Sequence, residues 1–138
     1  MKNILYISTG GTISSTHGRE GIVPTVDADS MLELVPSVKR LCRVEARSVM
    51  SIDSTNMQPE DWSVIAKAAF EGLGKFDGVV VTHGTHTMAY TAAALSFMIR
   101  DPGKPIVFTG VKRDSFLRAD NCVLSVSPSA MAARACLA

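Results

Sequence analysis

The sequence predicts an α/β fold in which a Rossmann-like or flavodoxin-like parallel sheet is flanked by helices. Short and almost entirely apolar runs, such as residues 4–7 and 79–81, are typical of parallel strands that are buried on both faces. Between these runs lie segments whose apolar residues recur at helical spacing. Alternation of strands and helices favours a right-handed parallel sheet.

The first predicted element is a strand over residues 3–8. Residues 9–26 are rich in Gly, Ser and Thr, and we expect a mobile loop there that is able to act as a lid. Asp27 is a suitable cap for a helix over residues 27–34, which Pro36 would stop.

The middle of the chain predicts a strand followed by a helix. Small and apolar residues alternate with charged ones over residues 42–50, which indicates an edge strand. Pro59 and the acidic residues after it are typical of the first turn of a helix, which Gly72 and Gly74 would end. The residues of this helix that we expect in the core are Trp62, Ile65, Ala66, Ala69, Phe70 and Leu73.

The next elements are a central strand over residues 78–82 and a helix over 87–99 that Thr87 would cap. Residues 105–109 predict a fourth strand. Residues 111–138 show no clear strand pattern, and we expect helices around 120–126 and after Pro128.

Composition limits the classes of function. The 138 residues are 46% hydrophobic and 20% charged, which is typical of one globular domain. A formal net charge of +1 gives no electrostatic reason to expect a nucleic acid or a membrane as partner. The three cysteines are sparse and odd in number, which is typical of free thiols in a reducing compartment. The first residues show no secretory signal, and the apolar stretch over residues 88–99 is too short to span a bilayer. We therefore expect a cytoplasmic protein.

Two runs, residues 9–13 and 82–87, predict one active site. Each run follows an apolar strand and places threonines and glycines where the strand ends, which is the edge of an open α/β sheet where ligands bind. Because Thr12 follows two glycines, the backbone can turn sharply there and its amides can approach a substrate oxygen closely, and Thr85 lies in a similar turn. A threonine hydroxyl needs a base or a positive charge to become a nucleophile.

A third loop supplies groups that could bind a zwitterion. Asp53 could hold an α-amino group and Ser54 an α-carboxylate, while the positive end of the helix near Thr87 favours an anion. Asp53 could equally cap a turn. His83 and His86 suggest a metal ion, but the loop offers no suitable third ligand nearby, and we expect no metal.

Several of these segments form an ordered set of motifs over residues 1–110. They are Ile7-Ser8-Thr9-Gly10-Gly11-Thr12-Ile13, Glu20-Gly21-Ile22-Val23-Pro24, Ile52-Asp53-Ser54-Thr55-Asn56-Met57, Pro59-Glu60-Asp61-Trp62, Val81-Thr82-His83-Gly84-Thr85 with Thr87-Met88, and Pro105-Ile106-Val107-Phe108-Thr109-Gly110. In this order they resemble the L-asparaginase family, specifically its cytoplasmic bacterial or archaeal type.

The resemblance implies a reaction and a role for each matching residue. Thr12 would be the nucleophile that attacks the side-chain amide, and Thr85 the second catalytic threonine. Gly11, Asp53 and Ser54 would bind the amino-acid end of the substrate. The implied reaction converts L-asparagine and water into L-aspartate and ammonia without metal or cofactor, and L-glutamine is the alternative substrate.

The sequence departs from the family pattern at two points. His86 stands where the family has an aspartate that belongs to a Thr–Asp–Lys relay and helps bind the amino group. We expect His86 to be the catalytic residue in the place of that aspartate, since a neutral imidazole can act as a base. No residue matches the lysine of that relay, because Lys112 comes too soon. We assign residues 1–110 to an asparaginase-like N-terminal domain and 111–138 to a divergent tail, and expect the family's C-terminal domain to be absent.

Three hypotheses follow. The first is an asparagine amidohydrolase whose activity is reduced by His86, and the second is a non-catalytic relative that binds a small amino acid. The third is the ammonia-releasing component of the related amidotransferase, although nothing in the sequence suggests its extra domain. A sheet that ends after its fourth strand would expose apolar surface, and we therefore expect a homo-oligomer.

Overall fold

A computed structural model describes residues 1–10, 15–18, 21–24, 37–112 and 120–126. Its strands are β1 (Lys2–Gly10), β2 (Ser15–Gly18), β3 (Gly21–Pro24), β4 (Cys42–Ile52), β5 (Gly78–Thr82), β6 (Ile106–Lys112) and β7 (Asp120–Val126). Its helices are α1 (Val38–Leu41), α2 (Pro59–Leu73) and α3 (Met88–Met98), with a 3-10 turn over Ser54–Asn56.

The main sheet has five strands in the order β4-β1-β5-β6-β7. Pairing is parallel between the neighbours from β4 to β6 and antiparallel between β6 and β7. Since the chain runs from β1 to β4 on one side and then to β5 on the other, the strand order reverses between β1 and β5. This is the flavodoxin-like arrangement of parallel strands, and ligands bind at such a reversal. The predicted fold class is confirmed.

Helix α2 begins where the sequence predicts it. Pro59 occupies the first turn, and the Asp61 carboxylate accepts a hydrogen bond from the backbone N–H of Gln58 at 2.9 Å. The predicted burial of Phe70 is wrong, because 66% of this residue is exposed. The helix presents only one stripe to the sheet, and Phe70 lies outside that stripe.

The core lies between the sheet and the two longer helices. Inward-facing side chains alternate along β1, β5 and β6, as the two-residue period of a strand requires. The buried members are Leu5, Ile7, Val79, Val81, Ile106 and Phe108 from the strands, with Ile65, Ala69, Leu73, Ala92 and Leu95 from α2 and α3. This layer holds the carboxyl ends of the strands in fixed positions.

Two expectations about secondary structure need correction. Part of the segment 9–26, expected to be a loop, forms an antiparallel hairpin in which Thr16 pairs with Val23. Residues 120–126, expected to be helical, form β7, whose Leu124 pairs with Phe108 of β6. In both places the backbone finds a partner that local periodicity does not reveal. The predicted helix over 27–34 and the one after Pro128 lie outside the described residues.

Candidate functional site

The ends of β1 and β5 lie side by side, which brings Thr9 and Gly10, the described start of the first motif run, next to the start of the second run. Ser8 is paired with Thr82, and the Thr9 hydroxyl donates to the carbonyl oxygen of Thr82 at 2.9 Å. Gly10 has a φ of 96°, and its Cα lies against the backbone of Ile52. Only glycine fits this position, because a side chain would meet that backbone and the φ value is unfavourable for other residues.

His83 anchors the loop that follows β5. Its backbone N–H donates to the carbonyl oxygen of Thr109 at 3.0 Å, and its ring Nδ1 lies 2.7 Å from the carbonyl oxygen of Gly84. The side chain is 2% exposed and packs near the ring of Phe108. Burial lowers the pKa of His83, while the hydrogen bond to Gly84 opposes that shift. The imidazole is therefore neutral at pH 7, with Nδ1 donating to Gly84.

The loop after β4 reaches across the end of β1 and touches the loop after β5. The Thr87 hydroxyl donates to the carbonyl oxygen of Ser54 at 2.7 Å, and Gly84 packs directly against the Ser54 side chain. Thr87 lies at the N-cap position of α3 as predicted, but its hydroxyl makes no cap hydrogen bond. It joins two loops instead.

Ser54 lies at the centre of this contact. It is 2% exposed, and its Oγ has no hydrogen-bond partner among the described residues. A buried hydroxyl normally finds a partner. The Ser54 Oγ is therefore a buried hydroxyl without a partner among the described residues, in the loop where the sequence predicts a carboxylate-binding residue.

Asp53 caps a turn, which is one of the two roles that the sequence left open. Its Oδ1 accepts two hydrogen bonds at 2.9 Å, from the backbone N–H and from the hydroxyl of Thr55, so that Asp53 caps the 3-10 turn. These two bonds lower the pKa of Asp53, and the nearby His86 contributes less to the same shift. Both Asp53 and His86 are exposed. A ligand can therefore reach the carboxylate, whose Oδ2 accepts neither of the bonds from Thr55.

Thr85 is half-buried and its methyl group lies near Gly110 of β6. It follows Gly84 and precedes the N-terminus of α3, whose backbone N–H groups carry a partial positive charge. Of the predicted site residues, the structure thus brings onto two touching loops Asp53, Ser54, Thr85 and His86, of which Asp53 and His86 are exposed. Gly11 and Thr12 lie outside the described residues.

Sequence reasoning did not assign three features of this site. They are the hydrogen bond of Thr87 to Ser54, the anchoring role of His83, and the close approach of Gly110 to the loop after β5. Apart from the bond between the His83 ring and Gly84, these contacts join residues that are far apart in the chain, and no local pattern indicates them. The position of His83 at a strand end is visible in the sequence, but its burial is not.

The described residues can also be inspected for clusters of metal ligands and for helices long enough to span a membrane. Among the described side chains, His, Cys, Asp and Glu form no group of three or more that could hold a metal ion. Within the same part of the chain, none of the helices combines the length and the apolar character needed to cross a bilayer.

The fold and these loops define an α/β domain with a hydroxyl-rich candidate site at its strand ends. Comparison with known protein families identifies the family of this domain. Residues 3–133 match the family model described as "Asparaginase, N-terminal", and the chain belongs to the asparaginase family. The resemblance predicted from the motifs is confirmed.

The chain is similar to curated proteins of two kinds. It is 46% identical over 109 residues to L-asparaginase from Thermococcus kodakarensis, an alignment that covers 78% of this chain and 33% of the relative. It is 38% identical over 135 residues to a glutamyl-tRNA(Gln) amidotransferase subunit from Archaeoglobus fulgidus, which covers 96% of this chain and 32% of the relative. The chain thus spans about a third of the length of these relatives.

The chain is also similar to solved structures of L-asparaginases. The thermostable L-asparaginase from Thermococcus kodakarensis matches with a TM-score of 0.69 and 44% identity, over 79% of this chain and 34% of that one. The probable cytoplasmic L-asparaginase from Campylobacter jejuni matches with a TM-score of 0.74 and 33% identity, over 80% and 36% respectively. These values bear out the fold assigned above.

Proposed function

We propose that this chain carries part of the active site of an asparaginase-type amidohydrolase that converts L-asparagine and water into L-aspartate and ammonia. The observation that carries the proposal is the contact between the loops after β4 and β5. Through the Thr87–Ser54 hydrogen bond and the Gly84–Ser54 packing, the loop that carries Thr85 is held against the loop after β4 that carries Asp53 and Ser54, and both loops lie near the end of β1. Gly11 and Thr12 follow that end directly.

Each described residue suits one part of an amino-acid substrate. The Ser54 hydroxyl and the positive end of α3 suit an α-carboxylate, since both offer N–H or O–H donors to an anion. The Oδ2 atom of Asp53 suits an α-ammonium group. A ligand held in this way is a small zwitterion.

Hydrolysis of the substrate amide then requires a nucleophile whose hydroxyl proton passes to the leaving ammonia. In the proposed reaction the Thr12 hydroxyl oxygen attacks the carboxamide carbon, and the C–N bond breaks as ammonia leaves with the hydroxyl proton. Water, positioned by Thr85, then attacks the resulting ester and releases L-aspartate, and Thr12 recovers its proton. No cofactor takes part in this scheme.

A second candidate function is the hydrolysis of L-glutamine within an amidotransferase. It is favoured by the relatives from Archaeoglobus fulgidus and Sulfolobus acidocaldarius that are named as amidotransferase subunits, whose alignments cover 96% and 95% of this chain. The alignment with L-asparaginase covers 78%. The two candidates share the same bond cleavage and differ in the length of the substrate and in the fate of the ammonia.

The test is ammonia release from L-asparagine and from L-glutamine by the purified chain. We expect slow release from one amide that Thr12→Ala abolishes and Thr12→Ser retains in part, because only serine keeps a hydroxyl nucleophile. Release that persists in Thr12→Ala would overturn the role of Thr12. Ligand binding without any release would favour the non-catalytic relative instead.

The proposed setting is the cytoplasm, with a small molecule as the substrate. The relative from Campylobacter jejuni is named as a probable cytoplasmic enzyme, which supports this setting. We also propose that the chain forms a homo-oligomer.

A further inference from the structure

We propose that Tyr6 is a positioning residue of the candidate site, and that its buried hydroxyl fixes the ends of β1 and β5 from which Thr12 and Thr85 follow. This inference rests on the proposed function, because it concerns the same reaction. Tyr6 has no part in the mechanism given above, and it acts on the site through Thr82 rather than through contact with the substrate.

Tyr6 and Thr82 lie on the same face of the main sheet. Leu5 and Ile7 belong to the core that α2 and α3 cover, so Tyr6 between them faces the other side of the sheet. Tyr6 is paired with Val80, and Thr82 comes two residues after Val80 on that same side. The tyrosine side chain therefore reaches from β1 to the last residue of β5.

The Tyr6 hydroxyl belongs to a small buried network of hydroxyl groups. The Thr82 hydroxyl donates to the Tyr6 oxygen at 3.0 Å, and a further hydrogen bond joins Tyr6 to the side chain of Ser8. All three residues are buried. Burial raises the pKa of Tyr6 and the two hydrogen bonds oppose that rise, so the phenol is uncharged at pH 7. Tyr6 is thus a fixed hydrogen-bonding partner inside the protein.

Thr82 connects this network to both motif runs. Its carbonyl oxygen accepts a hydrogen bond from the Thr9 hydroxyl at 2.9 Å, and Thr9 stands three residues before Thr12. Thr82 itself stands three residues before Thr85. It is held at its carbonyl group by Thr9 and at its hydroxyl group by Tyr6. The two strand ends that lead to the catalytic threonines are therefore fixed to each other at Thr82.

Loss of the Tyr6 hydroxyl would leave the Thr82 hydroxyl with a weaker acceptor. That acceptor is the carbonyl oxygen of Ile7 at 3.4 Å, which is beyond the usual range for an O–H donor. Small displacements of reacting groups from their attack position lower the rate strongly. Asp53 and Ser54 lie on the loop after β4, outside this network. We therefore expect kcat to change more than KM.

The test compares the two tyrosines of the chain. Ammonia release from L-asparagine and from L-glutamine, and urea unfolding, are measured for the wild-type chain, Tyr6→Phe and Tyr90→Phe. Both substitutions remove one phenol hydroxyl, but Tyr90 is 69% exposed on α3 and is the matched control. We expect Tyr6→Phe to lower kcat about tenfold and to change KM less than about threefold, and Tyr90→Phe to change either by less than about twofold.

Substitutions of Thr82 show whether Tyr6 acts through this residue. Thr82→Ser keeps the hydroxyl and should retain most of kcat, whereas Thr82→Val removes it and should lose as much as Tyr6→Phe does. Tyr6→Phe combined with Thr82→Val should lose no more than either substitution alone, because both remove the same bond. Losses that multiply in the double variant would overturn the inference.

Three further results would also overturn it. The first is an equal kcat in Tyr6→Phe and Tyr90→Phe, and the second is a fall in kcat that matches the unfolded fraction of Tyr6→Phe. If Tyr6→Phe does not fold, a Thr82→Val chain that keeps the kcat of Thr82→Ser is the third. In each of these cases the wild-type chain is active, and the inference alone fails. If the wild-type chain releases no ammonia from either amide, the proposed function fails and the inference fails with it.

Discussion

His83 illustrates how a single buried residue positions the candidate site. It is 2% exposed, its backbone is tied to Thr109 of β6, and its ring donates to the carbonyl of the next residue, Gly84. Gly84 in turn packs against Ser54. The neutral imidazole therefore stabilises the turn that brings the loop after β4 and the loop after β5 together.

This burial predicts a dependence of stability on pH. Because the pKa of His83 is lowered in the folded chain, the unfolded chain binds a proton near the ordinary histidine pKa of about 6.5 that the folded chain does not bind. The contribution of His83 to the free energy of unfolding is thus present above that value and lost as the pH falls toward the lower, folded pKa. The slope is at most about 1.4 kcal/mol per pH unit for one proton.

Urea unfolding at pH 7.5 and pH 5.0, in the wild-type chain and in His83→Asn, measures this effect. Asn keeps an N–H donor near the position of Nδ1 but does not titrate in this range. We expect the wild-type chain to lose more stability on acidification than the variant does. An equal loss in both proteins would show that His83 is not the group that responds.

At the scale of the elements, α2 and α3 are joined by a hydrogen bond between side chains. The indole N–H of Trp62 donates to the hydroxyl of Thr91 at 3.1 Å, and Thr91 is fully buried. The two helices cover the same face of the sheet and contribute to the same core. Their relative position fixes the start of α3, and hence the loop that carries Thr85 and Thr87.

Thr91→Val should destabilise the fold with little change in shape. Valine has nearly the same volume but leaves the N–H of Trp62 without its partner, which should lower the free energy of unfolding by about 1–3 kcal/mol. Ser96→Ala is the matched control, because the Ser96 hydroxyl is exposed and, within the described part of the chain, bonds only to Ala93 of α3. Chemical denaturation should show a change within about 0.5 kcal/mol for that control. Similar losses in both variants would contradict the role given to the Trp62–Thr91 bond.

The molecule as a whole exposes large apolar side chains on its two longer helices. Phe70 of α2 is 66% exposed, and Tyr90 and Phe97 of α3 are 69% and 81% exposed. A single exposed apolar residue is ordinary, but several aromatic ones on two neighbouring helices are typical of a surface that another protein surface covers. This supports the homo-oligomer predicted from the sequence.

Sedimentation velocity at micromolar concentration tests the prediction. We expect species larger than the 14.7 kDa monomer, and a shift toward the monomer in Phe97→Lys, because a lysine placed in an apolar contact would have to lose its water. Leu41→Lys is the control, since Leu41 is 77% exposed but belongs to α1. Monomeric sedimentation of the wild-type chain would contradict the oligomer, and equal shifts in both variants would contradict the choice of surface.

Much of the fold could be predicted because its signals are local. The apolar runs of β1 and β5, the alternation along β4, and the Pro59 start of α2 depend on residues within one turn or one strand, and the structure confirms all of them. The motifs also identified the family, which the match over residues 3–133 confirms. The roles of Gly11 and Thr12 stay predictions.

Sequence alone therefore determined the fold class, the family and which strand ends carry hydroxyl groups. Tertiary structure decided which of those ends are neighbours, that residues 120–126 form a strand against β6, that Phe70 faces outward, and that Thr87 bonds to Ser54 rather than capping its own helix. The physical reason is the range of the interactions. Periodicity and capping act over a few residues, whereas strand pairing and loop contacts join residues that only the folded chain brings together.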